Sequence, residues 1–330
     1  MTQPDAIESL AASLVADLTA VTDRIAQEIE DALVDWFDLT PPARVQRLQV
    51  LQRALVALVG QADAIAARHV VSTMQSSYEI GAWATAITTG TTATFTGVDI
   101  DAVTHLATDT MQSLLQATKG MREDVKQVIR DLTRDQVRAK LYLGQTAVQA
   151  GQELAKAMGE RGITAVIYSD GRRVTLEQYA QMVIRTKTAE AYQEGGLNQG
   201  DRLDIDWWEV MDGPGCGWTS HDDPQKADGM IVPLESARAH PLSHPNCRRS
   251  TTPRPDIASA REARTAEPTP TGTTQATWDA AVRAQASTAR ATATSTTPAR
   301  ASAGLDTAAG VIPNTAAGRR FAANLAKHTA

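Results

Sequence analysis

Ile7, Ala11, Leu14, Leu18, Val21 and Ile25 step along the chain by four, three, four, three and four residues. That alternation keeps all six on one seam of an α-helix, the spacing of helices that pack side by side. A helix with such a seam cannot bury it alone, so residues 1–158 are expected to fold back as antiparallel helices or to pack on a partner. Pro41-Pro42 stops the first helix, and Pro42 suits the first turn of the next, where its missing N–H is no loss. Val45, Leu48, Leu51, Leu55, Leu58, Ala62 and Ile65 carry a second apolar stripe. Residues 81–98, with three glycines and many threonines, predict a connector. Asp99 then offers an N-cap carboxylate for a third helix that runs to about Gly159, with Gly120, Gly144 and Gly151 as points of bending. At 1.5 Å per residue it would reach roughly 90 Å, a length suited to an elongated stalk.

The pattern changes after residue 160. Ile163–Tyr168 is a β-type run, Asp170-Gly171 is a hairpin turn signal, and Arg173-Val174-Thr175 is a short return strand. A helix is expected from Thr175 to Glu194, stopped by Gly195-Gly196, followed by a strand over 204–210 and a short run at Met230-Ile231-Val232. Residues 160–255 therefore read as a small α+β module. Beyond it, Ala and Thr fill 18 of the 30 positions 271–300, too few large apolar groups to offset ordering entropy. Residues 256–312 are expected to be mostly disordered, with a short amphipathic helix at Arg319–Lys327. The fold class is mainly α with a small α+β module and a disordered C-terminal tail.

Composition excludes several classes. No uninterrupted run approaches the roughly 18 apolar residues of a bilayer span. The first eight residues carry acids where a signal peptide has a basic flank. Two cysteines in 330 residues cannot build a disulfide framework. The chain is expected to be cytoplasmic and soluble, with no membrane partner. Its net charge of −6 is uneven: residues 257–330 carry eight Lys/Arg against four acids, leaving −10 on the rest. An acidic body does not suit a duplex-DNA binder, whose footprint is normally basic.

The chemistry gathers in one place. Both cysteines and three of the six histidines fall within 32 residues: Cys216, His221, His240, His244 and Cys247. Cys216 and His221 have C-x4-H spacing, His244 and Cys247 have H-x2-C spacing, and 22 residues separate the two knuckles. Two thiolates and two imidazoles among glycines and prolines suit a tetrahedral structural zinc. Other readings of the same residues are two buried thiols, a cross-link formed after lysis, histidines that cap turns, or a thiol hydrolase with Cys247 as nucleophile and His221 as base. Asp222-Asp223 reads either as a hard-cation ligand pair or as a solvated turn.

Segment 185–253 resembles the phage Mu F-like (MuF) domain of minor capsid, or head morphogenesis, proteins. The resemblance rests on Arg185–Tyr192, Trp207-Trp208, Cys216, Gly229–Val232 and above all Pro241-Leu242-Ser243-His244-Pro245-Asn246-Cys247-Arg248. Thr219 stands where the family often has a second Cys, and Arg249 where it has the last one. A four-thiolate site is therefore excluded, and zinc would need Cys216, His221, His244 and Cys247, with His240 spare. The resemblance implies a virion protein without catalytic activity, inside the capsid near the portal vertex, present in the host cytoplasm during assembly. Its implied partners are the portal, scaffold and major capsid proteins, and packaged DNA through the basic tail. A zinc-dependent or thiol hydrolase, or a nuclease, is the alternative.

Arg122, Lys126, Arg130, Arg134 and Arg138 recur every four residues along the third helix. They read either as a solvated face tempered by Glu123, Asp124, Asp131 and Asp135, or as a stripe for an acidic portal surface or packaged DNA.

Overall fold

Three long helices open the computed structural model, which describes residues 3–35, 38–138, 165–167 and 172–266. They are α1 (Gln3–Leu33), α2 (Pro41–Thr88) and α3 (Gly97–Arg138). The stepping seam is the reason they form: Ala11, Leu14, Leu18, Val21 and Ile25 are all buried, and Ile29 extends the row. On α2, Leu48, Leu51, Leu55, Leu58 and Ala62 are buried, as are Val103, Ala107, Met111, Leu114, Met121, Val125 and Val128 on α3. By length and composition α2 is long and apolar enough to cross a membrane. Interspersed polar residues hide this from a search for uninterrupted apolar runs. Leu55, Val59, Val70, Val71 and Met74 are buried, so part of that apolar length serves core packing.

A hairpin of β1 (Ala165–Ile167) and β2 (Arg173–Thr175) follows, antiparallel with Val166 opposite Val174. Helix α4 (Leu176–Asp201) leads to a three-stranded antiparallel sheet, β4-β3-β5, with β3 (Trp207–Met211) between β4 (Ile231–Pro233) and β5 (Ser250–Pro253). Two short helices, α5 (Leu234–Ala239) and α6 (Ala260–Ala263), complete the described chain. The described residues are mainly helical, with the two-stranded hairpin and one small three-stranded sheet. The chain divides into two compact units, one from Met1–Ala12, Arg68–Thr110 and Met182 onward, the other from Ser13–Ala67 and Met111–Gln181.

Glycine underlies two corrections to the expected elements. Residues 81–88 are helix rather than connector, and α4 runs through Gly195-Gly196 to Asp201. Within the first unit, α2 and α4 meet backbone to backbone. A Cβ on Gly81 would collide with the Tyr192 carbonyl, and one on Gly195 with the Tyr78 carbonyl. Ser77 Oγ donates to the Thr188 carbonyl at 2.7 Å, and Thr85 Oγ1 to the Gly196 carbonyl at 3.1 Å. The glycines serve close approach, and the packing they allow offsets their cost of about 1 kcal/mol each in a helix.

The third correction is the start of α3. Thr96 is its N-cap, and Asp99 is the third helical residue, its carboxylate reaching back to accept from the Thr96 N–H and from Thr96 Oγ1 at 3.0 Å. Asp99 also accepts from Tyr78 Oη at 2.5 Å, and its two oxygens accept from Arg202 Nη1 at 3.0 and 3.1 Å, while Asn198 donates to Tyr78 Oη at 2.7 Å. Burial pushes the Asp99 carboxyl up, but the bonds from Tyr78, Thr96 and Arg202 outweigh it and hold it below the usual range. The Tyr78 hydroxyl is raised by burial and by the neighbouring carboxylate.

Trp208, wholly buried, centres the sheet core with Leu197, Ile205, Val210, Ala227, Val232 and Ala237. The expected strand over 204–210 begins later, at Trp207, because Asp204 turns the chain with φ of 55°. Residues 256–266, expected to be disordered, are ordered: Ile257 is buried, and Ser259 caps α6 by accepting from the Glu262 N–H at 3.3 Å. The Asp170-Gly171 turn, the extension of α3 to Gly159 and the tail from 267, including 319–327, lie outside the described residues.

Candidate metal centre

Two limbs of chain bring the cysteines and histidines together. The first leaves β3 at Met211 and turns at Gly213, where the Cys216 N–H bonds the Gly213 carbonyl at 2.9 Å. It then folds into a narrow loop, with Trp218 N–H on the Gln225 carbonyl and Ala227 N–H on the Cys216 carbonyl. Asp223 shapes this loop by accepting from Thr219 Oγ1 at 2.6 Å, Thr219 N–H at 3.1 Å and Gln225 N–H at 2.9 Å. These bonds, Thr219's foremost, hold its carboxyl below the usual range. Asp223 is thus a turn residue. The second limb runs from α5 to β5, and turns at Asn246, which takes φ of 61°.

Cys216 Sγ lies 3.6 Å from His244 Nε2 and 3.9 Å from His221 Nδ1. The two imidazoles stand edge to face with centroids 4.9 Å apart. Donors around one tetrahedral zinc, at about 2.0–2.3 Å from the ion, stand roughly 3.3–3.8 Å from each other. The Cys216–His244 separation falls within that range and the Cys216–His221 separation just beyond it. His244 Nδ1 sits 2.8 Å from the Pro245 carbonyl, which can only accept, so Nδ1 carries the proton and Nε2 keeps its lone pair for a metal.

Cys247 is placed differently. Its Sγ is 3.8 Å from both oxygens of Asp212 and 3.5 Å from Ser243 Oγ. The ligand atoms therefore form two trios that share Cys216, one with His221 and His244 and one with Asp212 and Cys247. Within each trio the atoms lie within 4.8 Å of one another. His240 packs its ring on Trp218, 4.8 Å between centroids, outside both trios. The Cys216 thiol is pushed up by burial, then by Asp212 and Cys247, which favours the protonated form and opposes a free nucleophile. A bound cation would reverse that balance.

Asp212 and Arg249 are the residues that spacing did not reveal. Arg249 is fully buried, with Nε on Asp212 Oδ2 at 2.8 Å. Its other nitrogens donate to the carbonyls of Gly217 (2.7 Å), Trp218 (3.0 Å) and His240 (3.0 Å), and the guanidinium lies 4.9 Å above the Trp218 ring. One side chain thus ties both limbs together. The only signal for it was its place, two residues after Cys247.

The cationic stripe on α3 does not present a uniform face. Arg122 pairs with Asp63 inside the second unit, where Asp63 also accepts from Thr118 Oγ1 at 2.6 Å. Lys126 pairs with Glu123 at 2.8 Å, and Arg130 donates to Gln127 at 2.7 Å. The side chains of Arg134 and Arg138 lie outside the described residues.

A family model described as phage minor capsid protein 2 matches residues 18–215. Among curated proteins and solved structures nothing matches. The matched span takes in most of α1, all of α2 and α3, and the chain through β3, and stops one residue before Cys216.

Proposed function

Because the chain belongs to the phage minor capsid protein 2 family, we propose that it works in head assembly as a virion component seated inside the capsid near the portal vertex. The observation that carries this reading is the extent of the match, which covers the three long helices and continues into α4 and β3. The MuF-like motif ending in Pro241–Arg248 supports it from the other side of residue 215. In this reading the helices dock on portal subunits, and scaffold and major capsid proteins are further partners. The basic tail contacts packaged DNA weakly, with an affinity that falls as salt rises. The module over 160–255 holds one structural zinc through Cys216, His221, His244 and Cys247. The fit is direct for the first three, while Cys247 reaches the ion by turning its Sγ away from Asp212.

Co-expression with the portal protein and affinity capture tests the docking role. The truncation is best made in the break before Pro41, removing α1 alone. A cut at residue 98 would also remove Ser77, Gly81 and Thr85, which pack on α4. Loss of capture without residues 1–40, and its retention without 267–330, is the expected result. Capture by 160–255 alone would move the docking role from the helices to that module.

The three-donor trio also suits a catalytic zinc, which keeps its fourth position open. This favours the hydrolase or nuclease reading as the alternative. Chelator-sensitive nuclease or peptidase activity of the purified chain would establish it.

A further inference from the structure

We propose that Cys216 and Cys247 are a disulfide-forming pair, so that the two limbs carry a covalent cross-link in oxidising surroundings. The proposal goes beyond the metal reading and does not depend on it. The two Sγ atoms lie within 4.8 Å of each other, and both thiols are free. A disulfide needs them at about 2.05 Å, so the two side chains and the limbs that carry them must approach further for the bond to close. Protein atoms alone hold the limbs in register. Met211 and Ser250 are paired across β3 and β5, and Arg249 grips the carbonyls of Gly217, Trp218 and His240.

The order of attack follows from exposure. Cys216 is half-exposed and Cys247 is buried. The thiolate form of Cys216, disfavoured by burial and by Asp212 and therefore slow to react, attacks a small disulfide, RSSR, forming a Cys216–SR bond and expelling one thiolate, which takes up the proton that Cys216 gave up. Cys247 Sγ then attacks the Cys216 sulfur, displacing the second thiolate, which takes up the Cys247 proton. Two protein thiols are oxidised to one disulfide and RSSR is reduced to two RSH. Cytosol keeps such a pair reduced, and an extracellular medium oxidises it. A phage particle passes from one to the other on release.

The test uses the full chain in two preparations, one stripped with chelator and one loaded with zinc, each exposed to oxidised glutathione. Thiol titration and non-reducing peptide mass spectrometry read the product. In the stripped preparation both free thiols should be lost to an intramolecular Cys216–Cys247 bond. Cys247→Ser should instead stop at a glutathione adduct on Cys216. A stable adduct on Cys216 of the native sequence would overturn the proposal. So would disulfide-linked dimers in place of the internal bond. Thiols that persist through an exposure that cross-links the urea-unfolded chain would do the same. The zinc-loaded preparation separates the two readings: slower cross-linking with zinc release places the ion on the same sulfurs. Equal rates would remove the metal reading and leave the cross-link standing.

Discussion

The Nε of Arg249 lies 2.8 Å from Oδ2 of Asp212, and both side chains are wholly shielded from water. Breaking such a pair leaves a buried charge without its partner, which typically costs about 3–5 kcal/mol. Arg249→Met removes the charge and also frees three carbonyls and Asp212, so denaturant unfolding should show a loss at the upper end of that range. Asp212→Asn should fall below it, because an amide oxygen still accepts from Nε. Equal stability of Arg249→Met and the native chain would show that the pair does not hold the limbs.

Zinc content distinguishes the two trios. Elemental analysis of purified protein should give close to one zinc per chain. Cys216→Ser should abolish binding, because Cys216 belongs to both ligand sets. Cys247→Ser should weaken it and lower the melting temperature, and His240→Ala should leave content unchanged because its ring lies on Trp218. Full zinc content in Cys216→Ser would move the site elsewhere.

Glycine substitutions test the α2–α4 contact. Gly195→Ala places a methyl group against the Tyr78 backbone, so helices must separate, and a loss of about 2–4 kcal/mol is expected from overpacking and lost contacts. Gly60→Ala is the matched control. Nothing lies within 4 Å of its Cβ position, and the better helix propensity should stabilise by about 0.5–1 kcal/mol. Thermal unfolding of the two variants side by side gives opposite signs if the contact is as described.

Acid titration should expose Asp99. Its carboxyl is held below 3.8 in the folded chain, so its contribution to stability is complete above that pH. As pH falls through the lower folded value, protonation removes it. Asp99→Asn should therefore be less stable than the native chain at neutral pH, with a difference that narrows below about pH 4. A difference independent of pH would assign the effect to geometry and not to charge.

The sequence made some of this legible and hid the rest for physical reasons. Helical seams such as Ala11–Leu14–Leu18–Val21–Ile25 are visible because burial imposes their period directly. The C-x4-H and H-x2-C knuckles were visible because metal-type donors so rarely gather by accident. Gly81 and Gly195 read as breaks because propensity is local, whereas their purpose lies on a helix more than a hundred residues away. Asp99 and Thr96 both suit a helix start, and only the fold decides which one caps. Arg249 was unreadable: guanidinium groups belong at surfaces by default, and the carbonyls that draw it inside come from two separate places in the chain, Gly217-Trp218 and His240.

The bond from Ser77 to the carbonyl of Thr188 joins residues 111 positions apart. A ribosome that adds about 5–20 residues per second needs on the order of ten seconds to travel between them. For that interval the side of α2 bearing Ser77, Gly81 and Thr85 has emerged and its counterpart has not been made. Translation that ends early, anywhere before α4, yields a polypeptide whose helix is permanently without its cover. Completion of the chain and completion of this helix pair are therefore linked in time, and a shortened product leaves the Ser77, Gly81 and Thr85 side of α2 uncovered, which marks it as unfinished.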